Sequence, residues 1–243
     1  MPSPLRLAMW SGPRNISTAL MRSWGNRADT VVIDEPFYAF YLLKTGKLHP
    51  GSEEIVSQTQ TDVYKIIEGL LGPLPANKAI FYQKQMAHHL LPDIDRGWLS
   101  QVTNCFLIRD PAEVINSYVR KNVDPALDDL GFSRQAELFH AVRQEIKTVP
   151  PVIDARDVLQ NPGRILGLLC RAVGVEFDQA MLSWPPGLRD TDGIWAKYWY
   201  AEVAQSTAFQ PYRPGVKSVP ARLGKICEQC REYYEELYQY RLQ

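Results

Sequence analysis

Several absences narrow the chemistry open to this sequence of 243 residues. It has no net charge, because 27 lysines and arginines balance 27 aspartates and glutamates. That balance offers neither the basic surface that nucleic acid needs nor a polybasic membrane anchor. No apolar run approaches the ~20 residues of a membrane-spanning helix, and no signal-type segment separates Met1 from the first strand. The expectation is a soluble cytoplasmic protein with no nucleic-acid or membrane partner. Cysteine is scarce, at four residues. Cys105, in an apolar strand, and Cys170, in a helical run, read as buried thiols. Cys227 and Cys230 have the spacing of a metal half-site, yet no second pair or nearby histidine completes it. Both fall on the apolar stripe of the last helix with Leu223, Ile226, Tyr234 and Leu237, so core packing is expected and no metal. No linker, repeat or low-complexity tract divides the chain, which implies one domain over residues 1–243.

The Gly-Lys pair of the phosphate-loop signature G-x-x-x-x-G-K-[ST] is also missing, which disfavours an ATP or GTP hydrolase. Its surroundings are nevertheless present. Leu5 to Trp10 reads as a short buried strand, Ser11 to Asn15 as a turn marked by Gly12 and Pro13, and Ile16 onward has apolar residues at helical spacing. Strand, tight polar loop and helix form an anion site, because the first N–H groups of a helix lack partners and carry the positive end of its dipole. Arg14, Ser17 and Thr18 add a guanidinium and two hydroxyls. Ser17 and Thr18 fit equally well as a helix-capping pair.

Four further strands follow. Thr30–Ile33 ends in Asp34, Glu35 and Pro36, where Glu35 reads either as a general base or as a carboxylate at the start of a helix begun by Pro36. Ser52 to Leu71 is amphipathic and makes one or two scaffold helices. Lys78–Gln83 is the third strand, with Lys84, His88 and His89 just beyond its carboxyl end. Asn104–Ile108 is the fourth, and Pro111 opens a helix directly after it. Arg109 offers a planar fork suited to a dianionic phosphate, with Ser117 two turns along, although a salt bridge from Arg109 to Asp110 or Glu113 serves the same residue. The polar run from Lys121 to Ser133 reads as a mobile loop or lid, and a helix spans Arg134 to Lys147. Pro151–Ala155 is the fifth strand, and Ile165 to Val173 is helical. Trp184 to Pro220, rich in aromatics and proline, is expected to wrap the site, and Ala221 to Leu242 to close the chain as a helix. Aromatic residues at 37, 38, 41, 195, 198 and 199 suit either the core or an apolar acceptor pocket.

Strands alternating with helices imply a three-layer α/β fold, a doubly wound parallel sheet of about five strands flanked by helices. Two anion-binding turns on different strands imply a ligand with two separated phosphate-like groups. In this order and spacing the sequence resembles the sulfotransferase family over nearly its whole length. Residues 11–20, Ser-Gly-Pro-Arg-Asn-Ile-Ser-Thr-Ala-Leu, resemble that family's loop for a 5′-phosphosulfate, and residues 108–118, from Ile-Arg-Asp-Pro to Ser-Tyr, its 3′-phosphate motif. Residues 154–162 and 234–242 are similar to its closing segments.

The resemblance implies a P-loop-like fold in a single sulfotransferase-like domain, with 3′-phosphoadenosine 5′-phosphosulfate as co-substrate and a small-molecule acceptor. It assigns the donor to Gly12, Pro13, Arg14, Asn15, Ile16, Ser17, Thr18, Arg109 and Ser117, and Arg14 to charge stabilisation as well. Arg213 and Lys217 are the nearest basic residues to the family's C-terminal segment. For the base it implies Glu35, with Lys84 and His88 or His89 as the alternative. Ile16 stands where many members have glycine, so the loop is expected to donate without a positive φ at that residue. A small-molecule kinase and a non-catalytic nucleotide- or protein-binding member of the fold are the competing readings.

Overall fold

A computed structural model describes residues 4–120, 124–214 and 218–243. The strands are β1 (Leu5–Ser11), β2 (Thr30–Asp34), β3 (Ile80–Met86), β4 (Thr103–Ile108) and β5 (Val152–Asp154). The helices are α1 (Ser17–Gly25), α2 (Tyr38–Thr45), α3 (Ser52–Gln58), α4 (Val63–Leu71), α5 (Pro111–Tyr118), α6 (Phe132–Ile146), α7 (Ala155–Gln160), α8 (Pro162–Ala172), the single turns α9 (Ala196–Trp199) and α10 (Ala201–Ala204), and α11 (Gly224–Tyr238). The strands form one parallel sheet in the order β2-β3-β1-β4-β5. This is the expected α/β fold.

Side-chain alternation explains the three layers. Leu7 and Met9 of β1, with Cys105 and Leu107 of β4, pack against α1 and α8 through Leu20, Met21, Trp24, Ile165 and Leu169. Their neighbours Ala8, Trp10, Phe106 and Ile108 face the opposite core, which α4, α6 and α11 supply through Leu70, Phe139 and Tyr234. A sheet buried on both faces reads as near-continuous apolar runs, as these strands do. Cys105, Cys170, Cys227 and Cys230 are buried free thiols, the last two within the core on α11.

The chain runs from β1 to β2 and β3 on one side and then crosses to β4 on the other. Ligand crevices in open α/β sheets form at such a reversal, beyond the carboxyl ends of the strands. Here that end is bounded by the turns after β1, β2, β3 and β4.

Several boundaries differ from those expected. Strand β3 continues to Met86, so Lys84 lies inside the strand, paired to β1 and β2, and not after it. Helix α2 begins at Tyr38, because Glu35 and Pro36 form a turn in which the Tyr38 N–H donates to the Glu35 carbonyl at 2.9 Å. Ser52 to Leu71 divides into α3 and α4, with Asp62 accepting from the Tyr64 and Lys65 N–H groups to start the second. In the segment expected as a lid, residues 121–123 lie outside the described residues. The rest holds a 3₁₀ turn, Leu127–Leu130, and the start of α6 at Phe132. Among the described residues no helix is long and apolar enough to cross a membrane.

Candidate active site

A cavity of about 840 Å³ opens at the carboxyl end of the sheet. Pro13, Arg14, Asn15, Ile16, Ser17 and Thr18 line one end of it, together with Arg109, Ser117 and Arg213. Glu35, Lys84, His88 and His89 line it too. The sequence-derived candidates are thus brought together, with two exceptions. Gly12 packs beneath the loop, where a Cβ would meet the Leu130 carbonyl oxygen at 2.7 Å, so its smallness serves a backbone approach. Lys217 lies outside the described residues.

The loop after β1 holds an unusual backbone. Arg14 and Ile16 both have positive φ, 62° and 57°. Ile16 therefore does enter the left-handed region, against the expectation from sequence, and a β-branched residue there stores strain. The loop is held from below: Asn15, fully buried, donates from Nδ2 to the Leu107 carbonyl at 3.3 Å. Ile16 is the residue that precedes α1, and no side chain caps the helix. Ser17 and Thr18 are thus the first helical residues and not a capping pair, and the first-turn N–H groups of α1 begin at the cavity wall.

The turns after β1 and β4 touch. Arg14 donates from Nε to Ser117 Oγ at 2.8 Å, and Arg109 donates from Nη1 to the Arg14 carbonyl at 2.7 Å. Arg109 also pairs with Glu113 at 3.0 Å, the salt bridge foreseen as its alternative role, and Tyr212 donates to the other Glu113 oxygen at 2.7 Å. Pro111 sits at the first position of α5, with Asp110 accepting from the Ala112 and Glu113 N–H groups as the cap. Burial lowers the Arg14 guanidinium from its ordinary value, opposed by Glu202 and reinforced by Arg109 and Arg120. A site this rich in arginine favours an anion.

At the other end, register creates a buried ionic cluster. Asp34 of β2 stands directly opposite Lys84 of β3. Lys84 Nζ donates to Asp34 Oδ1 at 2.9 Å, to Glu35 Oε1 at 2.6 Å and to the Tyr200 hydroxyl at 2.6 Å. An ammonium has three donors, so all three are engaged. Burial opposes its charge, but Asp34 and Glu35 outweigh that and hold Lys84 well above its ordinary value. Burial raises Glu35, an effect Lys84 resists and Asp34 adds to. The Glu35 side chain keeps 13% of its surface exposed, and its Oε2 lies 3.8 Å from His89 Nδ1. Glu35 has φ 40°, a third left-handed residue at the rim of the cavity.

His89 stacks on both Tyr38 and Tyr41, with ring centroids 4.9 and 4.7 Å away. Burial, with Lys47 and His49 nearby, pushes His88 down to about 3, and burial with His88, His49 and Lys84 holds His89 well below its ordinary value. Both are neutral imidazoles.

A family model described as a sulfotransferase domain matches residues 5–222. The chain belongs to the sulfotransferase family. Membership classes it with transferases that move a sulfuryl group. Two Arabidopsis thaliana proteins are relatives of this sulfotransferase chain. Branched-chain-amino-acid aminotransferase-like protein 2 is 30% identical over 94% of this chain and 40% of its own length, and protein 1 is 30% identical over 98% and 42%. The chain thus spans about two fifths of the length of these curated relatives. Two solved structures share the fold. The sulfotransferase domain of the Synechococcus PCC 7002 olefin synthase superposes with TM-score 0.60 at 18% identity, covering 100% of this chain and 96% of that one. The sulfotransferase from Alicyclobacillus acidocaldarius gives 0.52 at 11% identity, covering 99% and 98%.

Sequence reasoning missed Asp34 and Tyr200. Asp34 had a signal, as a second carboxylate at the end of β2. Tyr200 had none, since more than a hundred residues separate it from Lys84 and only the wrapping of the C-terminal segment unites them.

Proposed function

We propose that residues 1–243 act as one domain that moves a sulfuryl group from 3′-phosphoadenosine 5′-phosphosulfate to a hydroxyl or amine of a small-molecule acceptor. The observation that carries this reading is the cavity itself, with an uncapped helix N-terminus and arginines at one end and a carboxylate of raised basicity at the other. The donor set suits the co-substrate chemically. Arg14 and the N–H groups of Ser17 and Thr18 would hold the 5′-phosphosulfate, and Arg109, Ser117 and Arg213 would hold the 3′-phosphate. When bound, the co-substrate supplies an activated sulfur–oxygen bond.

The chain's own residues then position and neutralise. Glu35 accepts the acceptor's proton at Oε2 as the new bond to sulfur forms. The bond from sulfur to the 5′-phosphate oxygen breaks, and its electron pair stays on that phosphate. Arg14 and the α1 dipole offset the charge that appears there, the main task in a loose transition state. Lys84, fully engaged, orients Glu35 rather than contacting the reacting atoms. The neutral, depressed imidazoles of His88 and His89 are poor bases beside Glu35 and serve as ring walls for the acceptor.

The test uses sulfur-labelled co-substrate and a panel of hydroxyl and amine acceptors, with label transfer as the readout. Transfer by the wild type and a loss of about 10²–10⁴ in Glu35→Gln is the expected result. Full turnover in Glu35→Gln, with loss in His88→Ala or His89→Ala, would move the base to the histidines.

A further inference from the structure

The hydrogen bonds around Lys84 leave one residue without a role in the reading above, although it touches both charged partners of the base. Tyr200 is 5% exposed and sits at the junction of α9 and α10, in the segment that covers the cavity. Its hydroxyl lies 2.7 Å from Asp34 Oδ2, 2.9 Å from Asp34 Oδ1 and 2.6 Å from Lys84 Nζ. Since the ammonium can only donate, the hydroxyl accepts from Lys84 and gives its own proton to Asp34. Asp34 receives one more donor from the same covering segment, the Gly193 N–H at 3.1 Å.

We infer that Tyr200 is a positioning residue for Glu35: by donating to Asp34 and accepting from Lys84, it keeps the Lys84 ammonium shared toward Glu35 and so sets the protonation of the base. This rests on the reading of Glu35 as the base.

The coupling is electrostatic. Asp34 and Glu35 are adjacent carboxylates competing for one ammonium. The Tyr200 proton offsets part of the Asp34 charge. Without it, Asp34 draws Lys84 more strongly and repels the Glu35 carboxylate more, and both effects favour protonated Glu35. His89 after β3 and Tyr38 on α2 face Glu35 directly, and His88 and His49 line the same cavity. Burial keeps His88 and His89 neutral, burial and Lys47 lower His49, and the Tyr38 hydroxyl is raised by burial and by Glu35, so none of these supplies a charge that could replace Lys84. The ring of Tyr200 lies 4.9 Å from Lys84 Nζ, so removing only the hydroxyl leaves the packing in place.

The experiment is a carbon-13 NMR titration of the full chain with glutamate labelled at the side-chain carboxyl, in saturating adenosine 3′,5′-bisphosphate. The Glu35 resonance is assigned by its loss in Glu35→Gln. Tyr200→Phe should raise the Glu35 titration midpoint by about one pH unit, the scale of a hydrogen bond to a charged group. Asp34→Asn, which removes the competing charge but keeps an oxygen for Lys84, should lower it. Opposite shifts separate this role from general loosening of the fold, which would move both variants in one direction. An unchanged midpoint in Tyr200→Phe, or shifts of the same sign in both, overturns the inference. Glu35→Gln measured in the transfer assay keeps the two readings apart: full activity there rejects Glu35 as base, whatever Tyr200 does.

Discussion

Arg14 Nε and Ser117 Oγ lie 2.8 Å apart, which joins the loop after β1 to the second turn of α5 across the mouth of the cavity. Sequence spacing had suggested two separate anion sites. The structure joins the two turns into one continuous surface, since the Arg14 carbonyl also accepts from Arg109. Arg109→Ala should therefore weaken adenosine 3′,5′-bisphosphate by about two to three kcal/mol, losing one charge and slackening the loop that carries another. Ser117→Ala should cost less, about 1 kcal/mol. Calorimetric titration of both variants measures the difference, and equal losses would contradict the ranking.

Ile16 offers a test of strain. Its side chain packs partly against the core beneath α1, and its φ is 57°. Ile16→Ala and Ile16→Gly differ in packing by only the Cβ methyl, but only glycine relieves the left-handed backbone, worth about 1–2 kcal/mol for other residues. The glycine variant should thus unfold at a higher temperature than the alanine variant. The reverse order in thermal melts would mean that the loop bears no such strain.

The buried histidines predict the direction of acid destabilisation. His88 falls from an ordinary 6.5 to about 3, so the unfolded chain takes up a proton in that interval while the folded chain does not. Stability from this source is complete above pH 6.5 and is lost as pH falls toward 3. At pH 5 the loss from one such group reaches about 2 kcal/mol. His88→Phe should flatten the slope of melting temperature against pH across this window, and an unaltered slope would show that the histidine is not held neutral.

As the proposed base, Glu35 should set the acid side of the activity profile. Burial raises its pKa above the ordinary 4.5, and only the carboxylate accepts a proton. Turnover should therefore fall on acidification while the pH is still above that ordinary value. Lys84→Met, which removes the opposing charge, should push the fall to higher pH still. A limb at or below 4.5 in the wild type would contradict the assignment.

The fold and much of the lining of the candidate cavity could be read directly from the sequence, for physical reasons. Short apolar runs ending in Gly12-Pro13, in Asp34-Glu35 and in Arg109-Asp110-Pro111 mark strands that stop where the chain turns, and these stops converge because parallel strands end on one side. What escaped was non-local or against local preference. The burial of Lys84 inside β3 depends on pairing with Asp34, and an isolated lysine reads as the end of a strand. Tyr200 reaches Lys84 only through the wrapping of the C-terminal segment, which carries no periodic signal. The left-handed Ile16 is imposed by its surroundings, with Asn15 anchored to the Leu107 carbonyl, and residue type argues against it.

The cavity is proposed to hold an adenosine 3′,5′-bisphosphate scaffold through the Arg14 loop and Arg109. Calorimetric titration of the wild-type chain with adenosine 3′,5′-bisphosphate, and separately with ATP and magnesium, tests it most directly. The bisphosphate should bind at least about tenfold more tightly, a difference of about 1.4 kcal/mol or more, with the advantage lost in Arg109→Ala. Equal or tighter binding of ATP with magnesium, undisturbed by Arg109→Ala, would contradict it.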